Sequence, residues 1–204
     1  MAKLYFKFGA MGSSKTAQAL MTKFNYEEKG KKVWLIKPST DTRDDKTDKD
    51  GSLVTVVRSR IGLYAPAEAV RACDSIKELF SHVTRDRRID AVICDESQFF
   101  TEQQINDLKD IADLDDVPVL CFGLRADFLT KLFPGSKRLF EIADSITEIK
   151  SICRCGRKAT VNARFDDDGE IITEGDQICI GGNDRYDGMC YKCYRALIND
   201  KNRK

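Results

Sequence analysis

The feature that most constrains this chain is an apolar, strand-like run that breaks at glycine and serine and continues directly as a helical pattern. The run is Leu4–Phe8, the bend is GAMGSS at 9–14, and the helical pattern begins with Lys15 and Thr16. Small residues let backbone N–H groups approach a phosphate, and a helix N-terminus adds its positive dipole end. Lysine and threonine at this point would meet the γ-phosphate and Mg²⁺. The sequence therefore predicts a phosphate-binding turn for a nucleoside triphosphate.

The turn departs from the pattern GxxxxGK[ST] at one position. Gly9, Lys15 and Thr16 match, but Ser14 stands where the second glycine belongs. A serine can replace that glycine only if the backbone avoids positive φ, so the phosphate-binding interpretation requires Ser14 to avoid it. An ordinary glycine-rich turn is the alternative, and a second signal is needed to decide between the two.

The second signal is an apolar strand pattern that ends in two adjacent acids. The run 89–94 is followed by Asp95 and Glu96. In proteins with this kind of phosphate loop, such an aspartate holds the Mg²⁺ shell, and a following glutamate can accept a proton or orient a nucleophile. Adjacent acids after a strand are usually just a turn. In combination with Lys15 and Thr16, they predict nucleotide chemistry.

The remaining pattern alternates strands and helices, which favours an α/β fold with a P-loop type of parallel sheet and flanking helices. Further strands are predicted at 33–36, 53–57, 117–122 and 145–149. A first helix is predicted from Thr16 to about Gly30, with Ala17, Leu20, Met21 and Phe24 on its apolar face. Pro66 predicts the first turn of a second helix, and Asp74 predicts the cap of a third that runs to about Val83. A capping box of Thr101 and Gln104 predicts a helix to about Ala112, and a short helix is predicted at 136–143.

Two segments after predicted strands are candidates for lining a ligand site. In segment 41–52, eight of twelve residues are charged and none is apolar, which predicts a surface loop. Asp41 and Arg43 nevertheless lie where open α/β sheets bind ligands. Segment 124–135 is rich in large apolar side chains and predicts a pocket. The alternative is that Phe128 and Phe133 only pack on the core.

The eight cysteines fall into two groups. Cys73, Cys94 and Cys121 lie in or beside apolar stretches, where a free cysteine behaves as a small hydrophobic residue. Later in the chain, two close pairs flank a hairpin-like stretch with turns predicted at 166–169 and 181–184. This arrangement is typical of a zinc ribbon with a closed, structural site. Four reduced thiols packed together are the alternative. The predicted ligands are Cys153, Cys155, Cys190 and Cys193, with Cys179 as a substitute because the CxC spacing is tight.

Composition argues against two classes of partner. Lys and Arg number 34 and Asp and Glu 33, so the chain has no global field that would attract a polyanion, and nucleic acid is disfavoured as a bulk partner. No apolar run approaches the length of a signal segment or a membrane span. We therefore expect a cytoplasmic protein without a membrane partner.

Seven signatures in order resemble the small, zinc-containing thymidine kinases found in many bacteria, and the resemblance covers nearly the whole chain. They are GAMGSSKT at 9–16, DTR at 41–43, DESQFF at 95–100, GLRADF at 123–128, LFPGS at 132–136, CRCGRKA at 153–159 and GGNDRY at 181–186. The resemblance implies transfer of the γ-phosphate of ATP to the 5′-hydroxyl of thymidine or deoxyuridine. It also implies a P-loop nucleotide-binding domain at 1–150 and a domain at 151–204 that binds zinc and closes on the nucleoside as a lasso.

The resemblance further implies roles for individual residues. Glu96 would accept the proton of the attacking hydroxyl, and Arg43 or Arg60 would stabilise charge on the transferring group. The residues expected to bind ATP and Mg²⁺ are Gly9, Ala10, Met11, Gly12, Ser13, Ser14, Lys15, Thr16, Asp95 and Gln98. Those expected to enclose the nucleoside are Met11, Leu124, Phe128, Phe133, Gly181 and Tyr186. A homotetramer and feedback inhibition by thymidine triphosphate are implied as well.

Two other functions compete with this interpretation. The run DESQ at 95–98 is close to the acidic box of helicases, but a helicase needs a second nucleotide-binding lobe, and only about eighty residues follow Gly123. A non-catalytic module, with a zinc ribbon on a degenerate phosphate loop, would be supported by Ser14 alone. We therefore expect the kinase.

Overall fold

Six parallel strands form the central sheet of the computed structural model, which describes residues 1–42, 45–47, 53–177, 185–201 and 203. In chain order the strands are β1 (Leu4–Phe8), β2 (Val33–Pro38), β3 (Lys46–Thr47), β4 (Leu53–Val54), β5 (Val56–Arg58), β6 (Tyr64–Pro66), β7 (Glu68–Val70), β8 (Ala91–Cys94), β9 (Val119–Gly123), β10 (Ser145–Glu148), β11 (Ser151–Ile152), β12 (Lys158–Ala159), β13 (Val161–Arg164) and β14 (Tyr186–Met189). The helices are α1 (Lys15–Glu27), α2 (Ile76–Asp86), α3 (Glu102–Leu114), α4 (Pro134–Ile142) and α5 (Tyr191–Lys201). The central sheet has the order β10–β1–β9–β8–β2–β7 with every pairing parallel, so the predicted parallel sheet is confirmed.

Helices cover both faces of this sheet, and two apolar clusters fill the space between the layers. On one face, sheet residues such as Leu4 and Trp34 pack with side chains of α2, α3 and α4. On the other face, Leu35 and Ile93 pack with Leu20 and other residues of α1 and with the β5–β6 pair. This double burial explains why the central strands have nearly continuous apolar sequences. Among the helices of the described residues, none is long and apolar enough to cross a lipid bilayer.

Helix α1 follows the glycine–serine bend as predicted, but it buries only part of the predicted face. Ala17 and Leu20 are buried, whereas Met21 is 53% exposed and Phe24 is 61% exposed. The buried residues of α1 are thus confined to its first half. The predicted apolar face is therefore confirmed for the first half of α1 and wrong for its second half.

The helix caps agree with the sequence in one case and differ by one residue in the other. The capping box is confirmed, since Thr101 Oγ1 accepts the Gln104 N–H at 3.2 Å and Gln104 Oε1 accepts the Thr101 N–H at 3.0 Å. The cap predicted at Asp74 is wrong, because Ser75 caps α2. Asp74 instead forms an ion pair of 2.7 Å with Arg71.

The helix predicted after Pro66 is wrong, because this segment is extended. Pro66 ends β6, which pairs with β5, and the next residues form β7 beside β2 at the edge of the central sheet. Val70 buries its side chain there. A sheet edge that offers backbone partners overrides a local helical preference. The strand predicted at 53–57 is similarly divided into β4 and β5, which pair with β3 and β6 respectively.

The C-terminal part of the described chain has a small core of its own. The antiparallel pairs β11–β12 and β13–β14 and helix α5 enclose a cluster that includes Val161, Ile171 and Tyr194. The turn predicted at 166–169 is confirmed, because the Gly169 N–H donates to the Asp166 carbonyl at 3.1 Å. The turn predicted at 181–184 lies outside the described residues.

Cysteines outside this unit follow the prediction in two of three cases. Cys94 and Cys121 are fully buried neighbours on β8 and β9. Cys73 is exposed, contrary to expectation, because it lies in the turn between β7 and α2.

Candidate active site

The glycine–serine bend joins β1 to α1 through a tightly curved loop. Gly12 and Ser14 have φ values of 72° and 60°, and the Ser13 N–H donates to the Ala10 carbonyl at 3.3 Å. The requirement that Ser14 avoid positive φ is therefore not met. Ser14 occupies the left-handed conformation that glycine adopts more easily. Ser14 therefore carries local backbone strain at a position where the pattern has glycine.

Lys15 lies inside this loop. Its Nζ donates to the Ala10 carbonyl at 2.9 Å and to the Gly9 carbonyl at 3.4 Å, and the residue is 9% exposed. Because α1 begins at Lys15, the first N–H groups of the helix open into the same space. A cation and several backbone donors are thus gathered at one point, which suits a phosphate group.

Asp95 lies at the end of β8, next to Thr16, and is almost fully buried. Burial raises the pKa of the Asp95 carboxyl to about 7, and the negative charge of Glu96 adds to the rise, whereas the Thr16 hydroxyl and the Lys15 ammonium oppose it. Lys15 and Asp95 line one cleft, so the structure brings the two sequence signals together. A carboxylate beside a hydroxyl is a set of oxygen ligands that fits Mg²⁺.

The turn after β8 passes directly over the end of β9, which lies between β1 and β8. A Cβ atom at Gly123 would lie 2.7 Å from both Ser97 Oγ and Gln98 Oε1. The Ser97 hydroxyl donates to the Phe122 carbonyl at 3.0 Å. Glycine at position 123 therefore allows the acidic turn to pack on the strand end.

Gln98 links Glu96 to the segment after β9. The Gln98 amide nitrogen donates to a Glu96 carboxylate oxygen, and Gln98 Oε1 accepts the Leu124 N–H at 2.9 Å. Gln98 is fully buried, and Glu96 has a φ of 49°. Gln98, predicted among the residues that bind ATP and Mg²⁺, uses both polar ends to hold Glu96 in place.

A further wall of the cleft comes from Asp41, from the end of β5 and from the turn that follows it at 59–61. Arg60 lies in this turn and is exposed. Arg58 stacks over the Tyr64 ring, with its Cζ 5.0 Å from the ring centroid. Arg60 is thus at the cleft, whereas Arg43 lies outside the described residues.

A buried lysine that the sequence analysis missed supports this wall. Lys37 Nζ donates to the Val56 carbonyl at 2.9 Å and lies 2.8 Å from Asp45 Oδ1 and 3.8 Å from Asp41 Oδ2. Its side chain is 1% exposed. The available signal was a lysine inside the otherwise apolar β2, because a buried charge requires partners. Lys37 joins β2 and β5 to the residues that follow β2.

Segment 124–133 is folded around Asp127. Asp127 Oδ1 accepts the N–H groups of Leu129 at 2.9 Å and Lys131 at 2.8 Å. The Ser136 hydroxyl donates to the Leu124 carbonyl at 2.5 Å. The backbone of this segment is therefore anchored at its start and within its turn.

The aromatic residues of this segment are buried, with Phe128 1% exposed and Phe133 3% exposed. The Arg164 guanidinium lies over two rings, 5.3 Å from the centroid of Phe128 and 5.9 Å from that of Tyr186. This arrangement brings together two residues predicted to enclose the nucleoside. Of the others, Leu124 is 9% exposed, Met11 lines the cleft and Gly181 lies outside the described residues.

Four cysteine sulfurs, of Cys153, Cys155, Cys190 and Cys193, lie within 4.8 Å of one another. The Cys155 and Cys190 sulfurs are 3.6 Å apart, close to the edge of about 3.8 Å expected for four sulfurs around zinc. Backbone N–H groups lower the pKa of the Cys153 thiol, and they lower that of Cys190 to about 6. The pKa of Cys193 is instead raised, to about 12, because its proton is shared with neighbouring sulfurs. This donor set fits a structural zinc ion, and Cys179 lies outside the described residues.

Comparison with known proteins gives one consistent result. The sequence model of the family described as thymidine kinase matches residues 2–194. A thymidine kinase of Photobacterium profundum is 42% identical over 198 residues, which cover 97% of this chain and 99% of the relative. A thymidine kinase of Shewanella oneidensis is 38% identical, and the match covers 98% of this chain and 100% of the relative. A thymidine kinase of Rhodopirellula baltica is 40% identical, and the match covers 97% of this chain and 90% of the relative.

Proposed function

The chain belongs to the thymidine kinase family, and from that premise we propose that it transfers the γ-phosphate of ATP to the 5′-hydroxyl of thymidine, and also of deoxyuridine, for nucleotide salvage. The observation that carries the proposal is the single cleft lined by Lys15, Thr16, Asp95 and Glu96. Phosphoryl transfer needs mainly positioning and charge stabilisation, which a phosphate loop, a metal and a carboxylate base supply.

The phosphates of ATP would bind in the loop formed by residues 9–16. The Lys15 ammonium and the N-terminal N–H groups of α1 would contact phosphate oxygens. Thr16, Asp95 and Asp41 are the oxygen-bearing side chains that would hold Mg²⁺, which neutralises charge on the phosphates when it is bound. Arg60 supplies a cation at the rim of the cleft, and Arg43 is the second candidate for stabilising the transferring group.

Glu96 is the proposed proton acceptor. Its carboxylate is held by Gln98, which is itself fixed to the backbone after β9. A 5′-hydroxyl is a weak acid, so the carboxylate would act as acceptor in the transition state and orient the nucleophile. We propose that Gln98 positions Glu96, in addition to its place among the ATP-site residues.

The nucleoside would lie beside the anchored segment 124–133. We propose that Leu124, Phe128 and Phe133, which are buried in the structure, line the slot from that segment. Met11, Tyr186 and Gly181 would complete the set. An apolar slot of this kind would accept the thymine methyl group, and tight packing would disfavour a ribose.

We further propose the division into a nucleotide-binding domain at 1–150 and a domain at 151–204 that holds structural zinc and closes on the nucleoside. A homotetramer, feedback inhibition by thymidine triphosphate and a cytoplasmic location complete the proposal. The four-cysteine cluster supports the zinc site, and the other properties are what the resemblance to the family implies.

The deciding experiment incubates the protein with Mg²⁺, ATP labelled in the γ-phosphate and a panel of nucleosides. We expect label in thymidine and deoxyuridine monophosphates and little in uridine or the purine nucleosides. Release of labelled inorganic phosphate that single-stranded DNA stimulates, without labelled nucleotide, would favour a nucleic-acid motor. Failure of MgATP to bind in calorimetry would favour a non-catalytic module.

A further inference from the structure

The peptide group between Ala10 and Met11 is held at both of its polar ends. Its carbonyl oxygen, on Ala10, accepts the Lys15 ammonium at 2.9 Å. Its N–H, on Met11, donates to Asn162 Oδ1 at 2.8 Å. Because a peptide group is planar, its N–H and its carbonyl turn together. The side chain of Asn162 therefore sets the direction of the carbonyl that holds Lys15.

Asn162 reaches the phosphate loop from β13, more than a hundred residues later in the chain. It is 4% exposed, and its Nδ2 donates to the Ala126 carbonyl at 2.7 Å. The amide thus uses its oxygen for the phosphate loop and its nitrogen for the segment after β9. The opposite orientation of the amide would place a donor against the Met11 N–H and an acceptor against the Ala126 carbonyl, so the two partners fix it.

The β13–β14 pair, which carries Asn162, contacts the phosphate loop at a second point. Gly188 is the partner of Asn162 in the β13–β14 register. A Cβ atom at Gly188 would lie 2.5 Å from the Met11 carbonyl oxygen and 3.3 Å from the Ala10 Cβ. The β13–β14 pair and the phosphate loop are therefore in direct contact. Cys190, one of the four clustered cysteines, follows β14 immediately.

We propose that Asn162 is a positioning residue for ATP binding. It orients the Ala10–Met11 peptide group, and the carbonyl of this peptide group in turn orients Lys15. Asn162 thereby connects the cysteine-bearing unit to the phosphate loop. The inference rests on the proposed role of the loop as the ATP site. An amide that only stabilised the fold would change stability without a specific effect on ATP affinity.

The first test compares Asn162→Leu, which keeps the approximate shape of the side chain, with Tyr194→Phe. Tyr194 is a matched control because its hydroxyl also makes one buried bond from the same unit, to the Phe128 carbonyl at 2.7 Å, and does not touch the phosphate loop. Calorimetry with MgATP, without nucleoside, should show affinity lower by about tenfold for Asn162→Leu, the effect of leaving the partly buried Met11 N–H without an acceptor. Tyr194→Phe should remain within about twofold of the unmodified protein.

The second test is a double-mutant cycle with Lys15→Met. If Asn162 acts through Lys15, Asn162→Leu has little further effect on MgATP affinity once Lys15 is replaced. Equal losses in both backgrounds, or an Asn162→Leu protein that binds MgATP as tightly as the unmodified protein, would overturn the proposal. Should Asn162→Leu fail to fold, Asn162→Ala enters the same cycle with the same criteria.

Separate measurements of MgATP binding and of kinase activity distinguish a failure of this proposal from a failure of the proposed function. If the unmodified protein binds MgATP but phosphorylates no nucleoside, the kinase assignment fails while the cycle still decides the role of Asn162. If kinase activity is present and the cycle is additive, the positioning role alone fails.

Discussion

Lys37 and Asp45 form an ion pair of 2.8 Å inside the protein, directly behind the cleft residue Asp41. The same ammonium donates to the Val56 carbonyl, in the strand that leads to Arg60. A buried charge of this kind is costly to leave without its counter-charge. The pair therefore makes the shape of one cleft wall dependent on a residue that does not line the cleft.

Lys37→Met should lower the free energy of unfolding by about 3–5 kcal/mol, the effect of removing one partner of a buried ion pair. Urea denaturation measures this change. Lys77→Met is the control, because Lys77 is 33% exposed and lies 3.7 Å from Asp110 at the surface. It should change stability by less than about 0.5 kcal/mol. Equal effects of the two substitutions would contradict the structural role of Lys37.

Glu96→Gln should reduce turnover by about 10²–10⁴-fold, because the amide cannot accept the proton of the attacking hydroxyl. Affinity for MgATP should be nearly unchanged. Steady-state assays and calorimetry measure the two quantities separately. Glu102→Gln, at an exposed acid in the first turn of α3, should leave both unchanged. A Glu96→Gln enzyme with normal turnover would remove Glu96 from the role of base.

Ser14→Gly should stabilise the protein by about 0.5–1 kcal/mol, because glycine adopts the φ of 60° seen at this position with less strain than serine. The same exchange at Ser81, inside the regular helix α2, should instead destabilise by about 0.5 kcal/mol. Chemical denaturation of both variants gives the comparison. Changes of the same sign would show that Ser14 is not strained.

Stability should depend on pH through Asp95. Its pKa in the folded protein is about 7, above the value of about 4 in an unfolded chain. Between these values the folded state holds more protons than the unfolded state, so the free energy of unfolding falls as pH rises. Asp95→Asn should lack this part of the fall when both proteins are unfolded by urea at pH 5 and pH 7 in buffer without Mg²⁺. Parallel pH profiles would contradict the raised pKa.

Purified protein should contain about one zinc ion per chain, and Cys155→Ser should lower that content and the stability of the C-terminal unit. Elemental analysis and thermal unfolding measure the two effects. Cys73→Ser is the matched control, because Cys73 is also exposed but lies far from the cluster in sequence and outside it in space. Full zinc content in Cys155→Ser would point to a different fourth ligand.

The parts of the fold that sequence could predict are those in which local pattern and tertiary environment agree. The apolar runs of β1, β8 and β9, the capping box of Thr101 and the four clustered cysteines each carry a physical signal that no neighbour reverses. The segment after Pro66 was mispredicted because its partner, the edge of β2, is remote in sequence. A local pattern cannot show that edge.

The residues of the candidate site can also be divided into those that a local pattern predicts and those that it does not. Lys15 and Asp95 were predictable because their residue types and flanking patterns identify them. Lys37 and Asn162 were not, since each acts through a partner distant in sequence, and a single lysine or asparagine in a strand carries little information. The positive φ of Ser14 could not be predicted, because the curvature of the loop, and not the residue type, fixes it.

The anchoring of segment 124–133 by Asp127 bears on attempts to redirect the enzyme toward unnatural bases. Its backbone is held both by Asp127 and by side chains outside the segment, among them Gln98 and Asn162. Exchanges of Phe128 or Phe133 would therefore alter the lining of the proposed slot on a fixed frame. Insertions or deletions would uncouple Asp127 from the N–H groups of Leu129 and Lys131. Directed evolution there should favour libraries of side chains over libraries of loop length.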